Sequence, residues 1–192
     1  MYISDEFKVQ WWLPPRTGSR MTQSFLLKLD FEGKWGHHTC FGDSTYDVYI
    51  NIRNPYAIAV SYYHLRHKDN PETFEEFVRK SKGEYFNFKN YHLMDYLQAL
   101  KERKLQPTKI IRQEHLLEDL LSIDFIKNNQ HRLKPEIAQL EEGTSPWRKY
   151  YPKDLKPYSE YYTQELADII YENRKKFFDF GGYDKDSWKT LS

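Results

Sequence analysis

The stretch Val9 to Phe25, VQWWLPPRTGSRMTQSF, decides how this chain is read. It opens as an apolar run, Val9 to Leu13, closed by Pro14 and Pro15. That is the pattern of a short buried strand running into a turn. Gly18 follows, flanked by the small hydroxyl residues Thr17 and Ser19. A helical spacing then begins, with Met21, Phe25 and Leu29 four residues apart. A strand, a small-residue loop and a helix N-terminus together make an anion site, because unpaired N–H groups and the positive end of the helix dipole converge there. Arg16 and Arg20 flank the loop, and neither loses its charge at any physiological pH. The loop therefore reads as a cradle for a phosphate-like group. The competing reading is a plain turn rich in Gly and Pro between a strand and a helix.

Working outward, Tyr46 to Arg53 (YDVYINIR) predicts a second strand. Alternation puts Val48, Ile50 and Ile52 on one face and Tyr49, Asn51 and Arg53 on the other. Asn54-Pro55 then starts a helix, Asn as N-cap and Pro at the first helical position, continuing to Arg66. Thr73 and Glu76 form a capping box ahead of Phe74, Phe77 and Val78. Tyr91 to Lys104 predicts a helix that Pro107 closes off, Lys109 to Arg112 a short buried strand, and Glu114 to Leu121 a helix that extends over Phe125 to Leu133. Thr163 to Phe180 is a final helix with Leu166, Ile170 and Phe177 on one face, stopped at Gly181-Gly182. Residues 1–8 read as a polar lead-in, and a short strand is expected near His37 to Phe41. Strands alternating with helices predict an α/β fold with a small central parallel sheet between helical layers, in one domain over residues 1–192. Ligands of such sheets sit at the carboxyl ends of the strands, where both Arg16 and Arg53 fall.

Composition narrows the function. The formal net charge is +1 over 192 residues, so bulk charge argues against a nucleic-acid binder and any anion site is local. Sixteen Tyr and twelve Phe supply core, with some left over for a sugar-binding groove. Cys40 is the single cysteine, which excludes an intrachain disulfide and suits a reducing compartment. The opening MYISDEFKVQ has no apolar h-region and no run reaches the length of a membrane span, so a cytoplasmic protein without a membrane partner is expected. His64 and His67 lack a third ligand, so no metal is expected.

The loop departs from the nucleotide P-loop pattern, having no Gly five residues before Gly18 and no Lys-Ser/Thr pair. Pro15-Arg16-Thr17-Gly18-Ser19-Arg20 instead resembles the 5′-phosphosulfate loop, P-K-x-G-[ST]-[ST], of sulfotransferases that use 3′-phosphoadenosine 5′-phosphosulfate (PAPS). Arg16 stands in place of the Lys and Arg20 in place of a hydroxyl. Arg53-Asn54-Pro55 with Ser61 resembles the 3′-phosphate motif of the same family, R-[DN]-P-x5-S, although Ile58 occupies a position where relatives often carry Arg. Ile110 to Leu121 is similar to the family's R-x-E-x-L unit, and Tyr158 to Tyr183 to its closing helix. The resemblance spans most of the chain but not residues 70–106.

The resemblance implies a P-loop-like fold and sulfuryl transfer from PAPS to a hydroxyl or amine, with a saccharide as the expected acceptor and adenosine 3′,5′-bisphosphate as product. It carries Arg16, Thr17, Gly18, Ser19, Arg20 and Met21 over as cofactor-binding at the 5′ end, and Arg53 and Ser61 at the 3′-phosphate. Arg148 and Lys149 lie where relatives add a further contact, and a solvated basic loop explains them equally well. Arg16 is also expected to be catalytic, neutralising charge on the leaving phosphate. His37 is expected as the base and His38 is the alternative; both also read as loop histidines making local hydrogen bonds. Two other classes stay open: a nucleotide-dependent kinase or phosphoester enzyme, and a non-catalytic carbohydrate-binding protein.

Overall fold

A computed structural model describes residues 1–29, 33–35, 45–66, 72–81, 93–142 and 156–191. The chain divides into two compact units, Met1–Ile52 with Tyr91–Ser145, and Arg53–Asn90 with Pro146–Ser192.

Among the described residues the first unit is built on a sheet of five strands: β1 (Tyr2–Ser4), β2 (Val9–Trp12), β3 (Lys34–Trp35), β4 (Asp47–Ile52) and β5 (Lys109–Arg112), in the order β3-β1-β2-β4-β5. The α/β class is as expected, and β2, β4 and β5 run parallel. The sheet is nonetheless mixed, because β1 and β3 run antiparallel. The opening residues, read from sequence as a lead-in, form β1, with Tyr2 buried and opposite Trp11. Only four residues separate β1 from β2, a length that permits a hairpin and no crossover. Lys8 in left-handed backbone (φ 54°) and the Phe7 amide donating to Ser4 Oγ at 3.2 Å make that turn.

β4 lies between two parallel neighbours and buries both of its faces from Val48 to Ile52. Tyr49 and Asn51, which alternation sets on the face opposite Val48, Ile50 and Ile52, are buried as well. Such a strand loses the alternation of a half-exposed one. Asn51 has no exposed surface, and every polar hydrogen-bonding direction it uses is matched. Its Oδ1 accepts from Trp11 Nε1 at 2.7 Å. Its Nδ2 donates to the Thr17 carbonyl at 3.1 Å and to Thr22 Oγ1 at 2.7 Å. One amide thus ties β4 to β2, to the loop after β2, and to helix α1 (Ser19–Lys28).

α1 buries Met21, Thr22, Phe25 and Leu26, the face its spacing predicted. Helix α4 (Leu93–Glu102) ends before Pro107 is reached. Its stop is a left-handed Lys104 (φ 53°), with the Leu105 amide reaching back to the Leu100 carbonyl at 2.9 Å. Past β5 the expected single helix is broken. A 3-10 turn at Gln113–His115 leads into α5 (Leu116–Leu121), and α6 (Asp124–Lys127) starts afresh after Ser122-Ile123. A further helix, α7 (Lys134–Glu141), carries Pro135 in its first turn, where a missing N–H costs nothing.

The second unit holds α2 (Pro55–Arg66), α3 (Phe74–Ser81) and α8 (Gln164–Gly181). Asn54 caps α2 as expected, its Oδ1 accepting from the Tyr56 amide at 3.0 Å. The capping box of α3 is reciprocal: the Thr73 amide donates to Glu76 Oε2 at 2.8 Å and the Glu76 amide to Thr73 Oγ1 at 3.2 Å. Arg79 grips Glu165 through two parallel bonds of 2.7 and 2.8 Å, joining α3 to the start of α8. α8 buries Leu166, Ile170 and Phe177, and ends on Gly182 in left-handed backbone (φ 66°). None of the described helices is long and apolar enough to cross a membrane.

Replacing Asn51 tests the joint in the first unit. Asn51→Ala strands a buried indole N–H, a buried carbonyl and a buried hydroxyl, and is expected to cost about 3–5 kcal/mol in urea unfolding. Asn51→Asp keeps an acceptor for Trp11 but loses both donated bonds, so it is expected to be no milder. A loss below about 1 kcal/mol for both variants contradicts the network.

Candidate functional site

The loop between β2 and α1 is shaped by two left-handed residues, Arg16 (φ 70°) and Gly18 (φ 75°). Glycine takes that conformation freely, whereas an arginine in it carries strain of about 1–3 kcal/mol. The strain persists because the loop is fastened on both sides. Thr17 is fully buried, its hydroxyl donates to the Pro14 carbonyl at 2.6 Å, and its own carbonyl receives Asn51. In this arrangement the Thr17 hydroxyl hydrogen serves the turn. Gly18 is the N-cap of α1 and its carbonyl accepts from the Met21 and Thr22 amides at 2.9 and 3.1 Å. No side chain caps the helix, and its first turn carries no acidic residue. The positive end of α1 therefore meets no carboxylate from its own first turn. Around it Arg16, Gly18 and Ser19 are half-buried, Arg20 is exposed and Met21 is buried.

Gln113, from the 3-10 turn after β5, is the contact that sequence reasoning missed. A Cβ on Gly18 would lie 1.9 Å from Gln113 Oε1 and 3.3 Å from Leu116 Cδ2. The Gln113 side chain thus fills the space that only glycine leaves open. Its Oε1 is buried and finds no hydrogen-bond partner among the described residues. Position 18 favours glycine for its backbone angle, and a side chain there would also displace the end of Gln113. Nothing in the local sequence pairs positions 18 and 113; only the parallel neighbours β4 and β5 bring the two turns together.

The second motif lies in the second unit, starting at the residue after β4. Arg53 Nη2 donates to the Tyr158 hydroxyl at 2.7 Å, and the guanidinium carbon lies 5.7 Å from the centre of that ring. Asn54, besides capping α2, donates through Nδ2 to Ser187 Oγ at 2.8 Å. Ser187 in turn donates to the Asp184 carbonyl at 2.7 Å, so the start of α2 is fixed to the tail of the chain. Ser61 is buried two turns into α2. Ile58, at the position where the resembling family often carries arginine, is a core residue at 7% exposure.

The histidines separate in kind. His64 Nε2 shares a 2.7 Å hydrogen bond with the Tyr161 hydroxyl, among the rings of Tyr63 and Phe74. Burial raises the Tyr161 phenol above its ordinary pKa, so it stays protonated at neutral pH and His64 has a neutral partner. Glu114 and His115 are exposed at the end of β5, with His115 3.8 Å from Glu118. His37, His38, Arg148 and Lys149 lie outside the described residues, as does His67. Among the described residues no cluster of three His, Cys, Asp or Glu side chains is placed to hold a metal.

No protein-family model matches this chain, and neither a curated protein nor a solved structure is similar enough to count as a match.

The Gly18–Gln113 contact predicts a coupling. Gly18→Ala is expected to cost about 1–3 kcal/mol by denaturant unfolding, from left-handed strain plus displacement of the Gln113 amide. Shortening the intruding side chain removes the second part. The double variant Gly18→Ala/Gln113→Ala is therefore expected to be more stable than the sum of the single losses predicts. Strictly additive costs contradict the contact.

Proposed function

We propose that this chain is a sulfotransferase that moves a sulfuryl group from PAPS to a hydroxyl of an acceptor, with a saccharide as the acceptor class. One observation carries the reading: the two anion motifs leave the carboxyl ends of β2 and β4, which are parallel neighbours. That end of a parallel sheet is where α/β proteins take their ligands. A three-layer, P-loop-like organisation is part of the same proposal.

Each motif, taken by itself, offers donors suited to one charged end of PAPS. The β2–α1 loop offers an uncapped helix start, a glycine where backbone approaches closely, and the charge of Arg16 and Arg20. Those features suit the 5′-phosphosulfate. Arg53 offers a guanidinium already oriented by Tyr158, beside the start of α2, which suits the 3′-phosphate. PAPS supplies the sulfuryl group in an activated mixed anhydride. The protein's share is positioning and charge neutralisation, as in phosphoryl transfer. Arg16 neutralises the charge that grows on the phosphate as it leaves. Arg53 and Ser61 hold the far end, with Arg148 and Lys149 as further contacts from the basic loop. The proton of the acceptor hydroxyl goes to His37, or to its neighbour His38.

Cofactor choice and turnover test the proposal separately. Adenosine 3′,5′-bisphosphate is expected to bind much more tightly than ADP in calorimetry. Arg53→Ala is expected to remove most of that preference, about 1.5–3 kcal/mol for a charge-assisted phosphate contact. Arg16→Lys is expected to retain transfer of labelled sulfate, while Arg16→Ala loses turnover more than cofactor affinity. Equal affinity of the wild-type protein for the two nucleotides rejects the proposal.

A further inference from the structure

We infer that Tyr158 is a binding residue for the phosphate taken by Arg53, its hydroxyl donating to an anion that the guanidinium has drawn in. This inference rests on the 3′-phosphate reading of Arg53 and adds a contact which that reading did not contain.

The chemistry follows from one hydrogen bond. A guanidinium has donors only, so in the 2.7 Å contact between Arg53 Nη2 and Tyr158 the phenol oxygen must accept. The phenol's single hydrogen is left over, and it meets no acceptor among the described residues. The ring also lies close to the cation, 5.7 Å from guanidinium carbon to ring centre. A phenol that accepts from a cation is polarised toward donating. Its O–H then adds a neutral donor beside the guanidinium charge, and the two together suit one oxyanion. A second arginine on α2 does not supply this, since Ile58 is in the core.

The turn that carries Tyr158 is held in place independently. Tyr158 opens the 3-10 turn Tyr158–Tyr161, and Tyr161 at its other end bonds His64 on α2 at 2.7 Å. Tyr162, the next residue, is buried and donates to the Tyr56 carbonyl at 2.8 Å. Contacts to Arg53, Tyr56 and His64 therefore fix the turn along α2 and the residue ahead of it. The phenol of Tyr158 is half-buried, so ordering it on a ligand costs little further side-chain entropy.

The test is Tyr158→Phe, which keeps the ring beside the guanidinium and removes only the hydroxyl. Calorimetry with adenosine 3′,5′-bisphosphate and with ADP is expected to show about a tenfold loss for the bisphosphate and no change for ADP. The thermal midpoint is expected to stay within a few degrees of wild type. A 3-fluorotyrosine at position 158 gives a second readout: its fluorine resonance is expected to move on titration with the bisphosphate and to stay still with ADP. Three results overturn the inference: unchanged affinity for the bisphosphate in Tyr158→Phe, an equal loss for both nucleotides, or a still resonance. A wild-type protein with no preference for the bisphosphate instead sinks the 3′-phosphate reading itself. If that preference exists and Arg53→Ala removes it while Tyr158→Phe does not, only the role of Tyr158 is lost.

Discussion

The side chain of Asn51 is where the first unit closes. An amide has two donor hydrogens and an acceptor oxygen, and Asn51 uses all of these on buried partners: Trp11 in β2, Thr17 in the loop and Thr22 in α1. Each bond contributes on the order of 1 kcal/mol net, but breaking the set leaves several desolvated groups unpaired, which costs more than the sum suggests. The geometry of the loop depends on that asymmetry. Arg16 and Gly18 both hold left-handed backbone there, and the arginine does so at a conformational cost. A loop tied only by its ends would relax Arg16 into an ordinary conformation. Tied through the Thr17 carbonyl and hydroxyl, it cannot.

The second unit solves a similar problem with different parts. Its charged residue, Arg53, sits in ordinary backbone and is oriented by a phenol instead of by strain. The start of α2 is anchored by Asn54, which caps the helix through its oxygen and reaches Ser187 through its nitrogen. Under the sulfotransferase proposal the two devices suit different tasks. The strained loop would meet charge that develops during reaction, where preorganisation matters most. The phenol-held arginine would meet a phosphate whose charge does not change.

Local signals were the readable part of this fold. Asn54-Pro55, Thr73 with Glu76, and the glycine at the end of α8 each act within a few residues, and each appears where its chemistry demands. The faces of α1 and α8 were equally plain, because one side of each helix is apolar at helical spacing. What failed was context. Alternation set Asn51 on the face opposite Val48, Ile50 and Ile52, but nothing local told that both faces of β4 are buried and that this amide has buried partners. Residues 1–8 look polar, yet pairing with β2 makes a strand of Tyr2–Ser4. Gln113 enters the loop only because β5 lies two strands from β2, a fact of topology without a local signature. Of the residues singled out from sequence, Arg16, Gly18 and Arg53 follow an anion-binding pattern that is local to each turn. The hydrogen bond from Arg53 to Tyr158 joins positions 105 residues apart and has no such local pattern.

Under the sulfotransferase proposal the β2–α1 loop receives a phosphate. Backbone amide resonances of the protein, followed by NMR during titration with adenosine 3′,5′-bisphosphate, test this most directly. The largest shifts are expected on Gly18, Ser19 and Arg20, saturating with the ligand and weak with adenosine carrying only the 3′-phosphate. Shifts that leave these three amides unmoved while others respond would place the phosphate elsewhere and contradict the account.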